Sequence, residues 1–269
     1  MQRLGIVGGG AMGSAIISGL LAKQYLEPQQ IVLVEPDSSK IRYFEERYHI
    51  QTKATYAEMA AVCDTIILAL KPHIQPVVAE GLSLAVGTEH LLVSIAAGVP
   101  LQNLETWYPH SRLVRVMPNT PLQVGRGVSV FCPGRNATTE DIQEVAALFG
   151  NLGQVVQLPE NQFDAATAVS GSGPAYVLYL VEAMIDAGVM LGLSRKDATL
   201  MATETFGGTI AMLQQTGEHP AKLRNDVTSP GGTTAAALFE FEKGAVSGII
   251  MQALKAAALR SAELGKNSK

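Results

Sequence analysis

The stretch Gly8-Gly9-Gly10-Ala11-Met12-Gly13 follows the short apolar run Arg3–Val7 and leads into a segment with helical spacing of apolar residues. A G-x-G-x-x-G pattern between a strand and a helix is typical of a dinucleotide-binding turn. Gly8 would permit the tight turn, Gly10 would let the backbone approach a pyrophosphate, and Gly13 would let the helix pack closely on the strand. The pattern predicts that this end of the chain binds a dinucleotide.

The helix that starts at this turn would supply the rest of the phosphate site. Backbone N–H groups in a first helical turn, here those of Ala11 and Met12, have no partner within the helix and lie at its positive end. We therefore expect Ala11 and Met12 to lie against the cofactor phosphates.

Strands and helices alternate through the first part of the chain, which predicts a mostly parallel, doubly wound sheet of the Rossmann class. Capping boxes at Thr55 and Thr138 indicate two of the helices. The predicted strands are Arg3–Val7, Ile31–Glu35, Thr65–Leu70, Leu91–Ile95, Arg112–Met117, Gly127–Cys132 and Gln154–Leu158.

Helical patterns replace strands after about residue 160. The predicted helices are Pro174–Leu191, a second from Ser194 to Gln215, Thr233–Lys243 and Ala245–Leu264. The sequence thus predicts a dinucleotide-binding domain at 1–160 and an all-α domain at 161–269. The second domain is rich in Ala and Gly and has little apolar volume of its own, which favours burial against a second copy of the chain. A self-contained helical bundle is the alternative.

Composition excludes several classes of protein. The chain has 269 residues, 47% of them hydrophobic and 16% charged, and a formal net charge of -4, which describes a folded protein and not a general nucleic-acid binder. Two cysteines, Cys63 and Cys132, are too few for a disulfide framework or a zinc cluster, and we expect buried free thiols and no metal. The apolar run Ala175–Leu191 is interrupted by Glu182 and Asp186 and is interpreted as a buried helix, not a membrane span. With no cleavable signal at the start, the expected location is the cytoplasm.

Glu35 lies at the end of the second predicted strand, at the position where an acid accepts hydrogen bonds from the adenosine ribose. It would repel a 2′-phosphate, so the sequence favours NADH over NADPH. Two alternatives stay open at this point. Glu35 could be a solvated acid at a strand end, or it could turn away and leave the phosphate to the residues that follow, Ser38, Ser39, Lys40 and Arg42.

Other cofactor contacts are expected at the carboxyl ends of later strands, where open parallel sheets bind ligands. Small residues at Ala96, Ala97 and Gly98 would let a flat nicotinamide ring lie against backbone, and Asn119 could bond its carboxamide. The segment Ala69-Leu70-Lys71-Pro72-His73 ends another strand. Lys71 in it could neutralise cofactor phosphate or remain in solvent, and His73 is interpreted as structural.

Two polar segments in the second domain, Ser170–Pro174 and Ser229–Thr234, each run into a helix start. A flexible loop at a helix N-terminus has the local physics of an anion site, although capping alone also explains such a sequence. The second segment is the better candidate for a substrate carboxylate, because backbone N–H groups at 231–234 could point one way, with the hydroxyls of Thr233 and Thr234 beside them.

The chain resembles the pyrroline-5-carboxylate reductase family over nearly its whole length. The segment Val227–Thr234 is similar to the family's signature, and four others match in the family's order: Ser94–Val99, Met117–Pro121, Ser170–Tyr176 and Gly217–Pro220. The resemblance implies reduction of 1-pyrroline-5-carboxylate to L-proline with NADPH or NADH. It also implies a homodimer formed by interleaved C-terminal helices, often within a ring of dimers.

The glycine turn, the acid after the second strand and the later strand ends together predict the cofactor contacts, which are Gly8, Gly10, Ala11, Met12, Gly13, Glu35, Ala69, Lys71, Pro72, Ala96, Ala97, Gly98 and Asn119. The resemblance adds the roles at the substrate loop. The substrate would contact Val227, Ser229, Gly231, Gly232, Thr233 and Thr234, with Thr234 bonding the ring nitrogen as the catalytic contact. The sequence departs from family members that prefer NADPH, which usually have a small polar residue where this chain has Glu35.

Two other functions share some of these features. A hydroxyacid dehydrogenase of the 6-phosphogluconate dehydrogenase type also joins a Rossmann domain to helices, but it needs a basic residue, and the helix Pro174–Leu191 has no lysine. A non-catalytic dinucleotide sensor would have little use for the segment 229–234.

Overall fold

The strands form one eight-stranded sheet in the computed structural model, which describes Arg3–Lys266. The sheet order is β3-β2-β1-β4-β5-β6-β7-β8, and all neighbours are parallel except β6 and β7. This confirms the predicted Rossmann class. The strands are β1 (Leu4–Val7), β2 (Ile31–Val34), β3 (Gln51–Thr52), β4 (Thr65–Leu68), β5 (Leu91–Ser94), β6 (Arg112–Met117), β7 (Gly127–Pro133) and β8 (Gly153–Gln157).

Twelve α-helices occur in the described residues. They are α1 (Ala11–Ala22), α2 (Ser38–Tyr48), α3 (Tyr56–Ala60), α4 (Gln75–Leu82), α5 (Leu101–Trp107), α6 (Thr139–Gly150), α7 (Phe163–Ala166), α8 (Gly173–Met190), α9 (Arg195–Thr216), α10 (Pro220–Asp226), α11 (Thr233–Lys243) and α12 (Val246–Lys266). The predicted capping boxes at Thr55 and Thr138 open α3 and α6. Strand β3 and helices α2, α5, α7 and α10 were not predicted.

Alternate residues of each central strand enter two separate cores, one on each face of the sheet. In β2, Ile31 and Leu33 pack on one face with α1 and α6, while Val32 and Val34 pack on the other with α3, α4 and α5. All four residues of β2 are buried, as expected for a strand covered on both faces. The sheet is therefore the middle layer of three.

The chain divides into two compact units, one of residues 1–172 and 256–269 and the other of residues 173–255. The second unit is helical and poor in buried apolar side chains. Ala198 and Ala202 are its only buried hydrophobic residues in the part of the chain that the structure describes. Its helices α8 and α9 approach closely where Gly188 meets Ala198, and a Cβ on Gly188 would lie 3.0 Å from that of Ala198.

Helix α8 corrects one prediction. The apolar run Ala175–Leu191 was expected to be buried, but no residue of α8 is buried in the single chain. The helical stretch Glu160–Met190 has the length and hydropathy of a membrane span, with only 6% of its most apolar window buried. The core helix of a soluble protein has the same length and hydropathy. What the stretch establishes is an apolar surface that the chain does not cover itself.

Candidate active site

The turn after β1 has the geometry that its glycines predict. Gly8 has a φ of +101°, and a Cβ there would lie 2.7 Å from the carbonyl oxygen of Ala69. A Cβ on Gly13 would lie 2.2 Å from the carbonyl oxygen of Gly8, so only glycine lets α1 start this close to the turn. A Cβ on Gly10 would meet nothing within 4 Å. The protein itself therefore does not require Gly10, and the space beside it is open to a ligand.

The start of α1 presents backbone donors to that space. Gly10 is the N-cap, and the first turn of α1 contains no acidic residue. The N–H of Ser14 donates to the carbonyl of Gly10 at 2.8 Å, whereas the N–H groups of Ala11, Met12 and Gly13 precede the first bond of the helix. Open space beside unpaired donors at a positive helix end fits the pyrophosphate of a dinucleotide.

Glu35 comes directly after β2 and is buried, with 8% of its surface exposed. Its Oε2 accepts the N–H of Gly9 at 2.6 Å and its Oε1 accepts the N–H of Asp37 at 3.1 Å. The alternative of a solvated acid at a strand end is therefore wrong. Glu35 links the end of β2 to the glycine turn.

The ends of β4 and β5 supply small and backbone groups near the same edge of the sheet. Ala69 lies beside Gly8, and its N–H donates to the carbonyl of Val7 at 2.9 Å. Lys71 is exposed and precedes the 3-10 turn Pro72–Ile74, which contains His73. After β5, Ala96 is buried, and Gly98 has a φ of +75°. The C-terminal part of α12 packs there, since a Cβ on Gly98 would lie 3.2 Å from the Cβ of Leu264.

The side chain of Asn119 forms two hydrogen bonds to backbone groups, a structural role that the sequence did not suggest. Its Oδ1 accepts the N–H of Val128 at 2.8 Å, and its Nδ2 donates to the carbonyl of Ser170 at 3.0 Å. The side chain is buried and holds the start of β7 to the segment before α8. Because both polar atoms are engaged, a bond to the nicotinamide carboxamide stays a prediction and would use the second N–H of the amide.

The segment Ser170–Pro174 is not the flexible loop that its composition predicted. Thr167–Gly171 forms a π-helical turn, in which the N–H of Ser172 donates to the carbonyl of Thr167 at 2.8 Å. The turn runs directly into α8, and the Oγ of Ser170 donates to the carbonyl of Ala166 at 2.8 Å. The N–H of Ser172 is thus used within the helical turn and is not available to an anion. This observation disfavours the segment as an anion site.

The segment Ser229–Thr234 does form a turn into the first residues of α11. Gly231 has a φ of +72°, and the N–H of Gly232 donates to the carbonyl of Ser229 at 3.0 Å. The Gly232 donor is thus spent inside the turn, and not all N–H groups at 231–234 are free as expected. Thr233 and Thr234 are the first two residues of α11, with Thr233 exposed and Thr234 half-buried, and Val227 is 61% exposed.

The two cysteines are buried and unpaired, as predicted. Burial raises the pKa of both Cys63 and Cys132 to about 12, so each thiol is protonated at neutral pH and a poor nucleophile. Among the described residues, no group of three or more His, Cys, Asp or Glu side chains could hold a metal ion.

Asp37 and Gln75 were not singled out from the sequence, and Ser94 was quoted only as part of the segment Ser94–Val99. Asp37 caps α2, which its position before two serines could have indicated. Gln75 and Ser94 are fully buried beside the end of β5, with 3.4 Å between Nε2 and Oγ, and Oε1 of Gln75 has no partner. No local pattern marks Gln75, because its burial depends on the fold.

Comparisons with known proteins agree with this arrangement. Residues 160–264 match the family model for pyrroline-5-carboxylate reductase dimerisation, and residues 3–98 match the model for NADP oxidoreductase, coenzyme F420-dependent. A solved Plasmodium falciparum pyrroline carboxylate reductase with NADP bound is 32% identical, with a TM-score of 0.90 over 98% of both chains. A pyrroline-5-carboxylate reductase from Coxiella burnetii is 33% identical, with the same TM-score and coverage.

Relatives of similar length carry the same name. The pyrroline-5-carboxylate reductase of Synechocystis is 40% identical over 98% of both chains. That of Arabidopsis thaliana is 39% identical over 98% of this chain and 96% of its own. Identity at this level along the full length covers both the glycine turn and the segment 229–234. The chain belongs to the pyrroline-5-carboxylate reductase family.

Proposed function

We propose that this chain reduces 1-pyrroline-5-carboxylate to L-proline with NADH or NADPH as the reductant. Family membership makes it an NAD(P)-dependent oxidoreductase of proline biosynthesis. The observation that carries the cofactor half is the glycine turn, where an open space at Gly10 faces the unpaired donors of α1. We assign dinucleotide binding to residues 1–160 and substrate binding and dimerisation to residues 161–269.

The cofactor residues divide by what they would hold. Gly8, Gly10, Ala11, Met12 and Gly13 would hold the pyrophosphate through backbone contacts. Glu35 would accept hydrogen bonds from the adenosine ribose. The nicotinamide end is assigned to the strand ends at Ala69, Lys71, Pro72, Ala96, Ala97, Gly98 and Asn119.

The proposed substrate residues lie in the turn before α11 and at the first two positions of that helix. The carboxylate of a small acid would receive N–H donors from Gly231, Thr233 and Thr234 at the positive end of the helix. The Gly232 N–H is used by Ser229, and this bond sets the shape of the turn. Ser229 and Val227 would also contact the substrate, and the Thr234 hydroxyl would form a hydrogen bond with the ring nitrogen.

The reaction requires orientation more than strong acid–base catalysis. The imine nitrogen of the substrate takes a proton readily, so its carbon is already electrophilic. When bound, the reduced nicotinamide supplies a hydride to that carbon. The chain's own contribution is to fix the carboxylate at 229–234, to orient the nitrogen at Thr234 and to hold the dinucleotide at the glycine turn.

A homodimer is part of the proposal. The helical unit exposes most of its large apolar side chains, among them Leu178 and Ile249 at 67% and 58%, and it buries only two alanines as a core. A surface this apolar is typical of an obligate interface. The family model matched at residues 160–264 is a dimerisation model. We assign the surface that covers these side chains to a second copy of the chain, within a dimer or a ring of dimers. We assign the location of the protein to the cytoplasm.

The activity is tested by following oxidation of NADH and NADPH with 1-pyrroline-5-carboxylate. In a separate assay, reduction of NAD⁺ and NADP⁺ is followed with 3-hydroxy acids. The proposal expects turnover with the cyclic imine and none with the hydroxy acids. Turnover with hydroxy acids alone would support the dehydrogenase alternative, and turnover with neither would support the sensor.

A further inference from the structure

The adenosine end of the cofactor site contains an acid that is held in place by backbone. Glu35 accepts the N–H of Gly9 at 2.6 Å through one oxygen and the N–H of Asp37 at 3.1 Å through the other. Lys40 Nζ lies 3.7 Å from Oε1, and the carboxylate is almost wholly buried. If the Glu35 side chain turned away, the N–H groups of Gly9 and Asp37 would lose their acceptor, and the buried carboxylate would have to leave its present position. The alternative in which Glu35 swings out to admit a phosphate is therefore disfavoured.

A second acid occupies the start of the following helix. Asp37 Oδ1 accepts the N–H of Ser39 at 2.8 Å, its hydroxyl at 2.6 Å and the N–H of Lys40 at 3.4 Å. These hydrogen bonds, first that from the Ser39 hydroxyl, lower the pKa of Asp37, so the carboxylate is charged at neutral pH. The donors at the start of α2, which could otherwise hold a phosphate, already bind this carboxylate.

The two acids have the same consequence for a dinucleotide at the glycine turn. An acid after the second strand accepts hydrogen bonds from the ribose hydroxyls. A 2′-phosphate would bring a charge of about -1.5 to -2 toward two fixed carboxylates. On the basis of the proposed function, we infer that this chain selects NADH over NADPH, and that Asp37 acts together with Glu35 as a specificity-determining residue.

The bond between Glu35 and Gly9 adds a second effect. The same carboxylate that would bind the ribose also fixes the middle of the glycine turn, so ribose recognition and pyrophosphate recognition share one side chain. Replacing Glu35 with a residue that cannot accept the Gly9 N–H would weaken both cofactors. A substitution that keeps an acceptor oxygen for the Gly9 N–H removes the charge of Glu35 but retains the hydrogen bond that shapes the glycine turn.

The test uses Glu35→Gln, Asp37→Asn and the double variant. Each substitution removes one charge. Asp37→Asn keeps the one oxygen that accepts the Ser39 and Lys40 N–H groups, whereas Glu35→Gln keeps an oxygen for the Gly9 N–H and loses the acceptor for the Asp37 N–H. Glu46→Gln is the matched control, because Glu46 is an exposed acid on the same helix, α2. Two quantities are measured for NADH and NADPH on the same preparations: kcat/KM with 1-pyrroline-5-carboxylate, and Kd by calorimetry without substrate.

The unmodified enzyme should favour NADH by about tenfold or more in both quantities. Each single variant should narrow the ratio severalfold, and the double variant should bring it close to one or reverse it, while Glu46→Gln leaves it unchanged. Preference of the unmodified enzyme for NADPH, or a double variant with the original Kd ratio, would overturn the inference. Absence of turnover with both cofactors would instead contradict the proposed function, and the Kd ratio would still decide the selectivity.

Discussion

Gly10 and Gly13 belong to one turn but have opposite surroundings. A methyl group on Gly13 would collide with the carbonyl of Gly8, while one on Gly10 would enter open space. Gly13→Ala should therefore destabilise the fold by about 1–3 kcal/mol, as overpacking does. Gly10→Ala should cost less than about 1 kcal/mol and weaken cofactor binding about tenfold or more.

Chemical denaturation and calorimetric titration with NADH distinguish these two effects. Gly13→Ala should lower the free energy of unfolding. Gly10→Ala should raise the Kd for NADH and leave the free energy of unfolding nearly unchanged. If Gly10→Ala bound NADH as the unmodified protein does, the pyrophosphate would not lie beside Gly10.

Thr234 is the residue on which the substrate half of the proposal depends. It is the second residue of α11, half-buried, and follows the turn at Gly231. Thr234→Ala should lower kcat/KM about tenfold or more, a loss of about 1.4 kcal/mol in transition-state binding. Thr234→Ser keeps the hydroxyl and should retain most of the rate. Equal rates for the alanine variant and the unmodified enzyme, in steady-state assays, would remove Thr234 from the mechanism.

At the scale of elements, Asn119 joins β7 to the π-helical turn Thr167–Gly171. Asn119→Ala would leave the Val128 N–H and the Ser170 carbonyl without this partner, at a cost of about 2 kcal/mol. Thermal unfolding of this variant should show a lower Tm. Asn136→Ala is the control, because its side chain makes a bond of 3.4 Å at an exposed site. An unchanged Tm with weaker NADH binding would favour the original prediction of a nicotinamide contact over the structural one.

Local signals explain which elements could be predicted. All four residues of β2 are apolar, and the boxes at Thr55 and Thr138 mark helix starts by chemistry that needs no tertiary contact. The Ser-Gly-Ser-Gly-Pro run misled, because its composition favours a loop while Asn119, distant in sequence, holds it as a helical turn. The same limit applies to Glu35. The strand pattern located it at the end of β2, but its hydrogen bond to the N–H of Gly9, 26 residues away, was not foreseen.

At the scale of the whole molecule, the uncovered apolar surface of the helical unit predicts an obligate dimer. Sedimentation velocity should give at least twice the mass of one chain at micromolar concentration. Leu178→Glu should reduce that mass or make the protein insoluble, because a charge at a covered apolar site is costly. Val77→Glu is the matched control in α4, since Val77 is 65% exposed against 67% for Leu178. A monomeric and soluble unmodified protein would contradict the dimer.

The central claim is that the chain moves a hydride from a nicotinamide to a cyclic imine. The most direct measurement uses NADH deuterated at C4 of the nicotinamide, with 1-pyrroline-5-carboxylate, and mass spectrometry of the product. With the transferred side labelled, the account predicts L-proline with one deuterium at C5, the former imine carbon. Absence of proline, or proline unlabelled with either side of C4 deuterated, would contradict it.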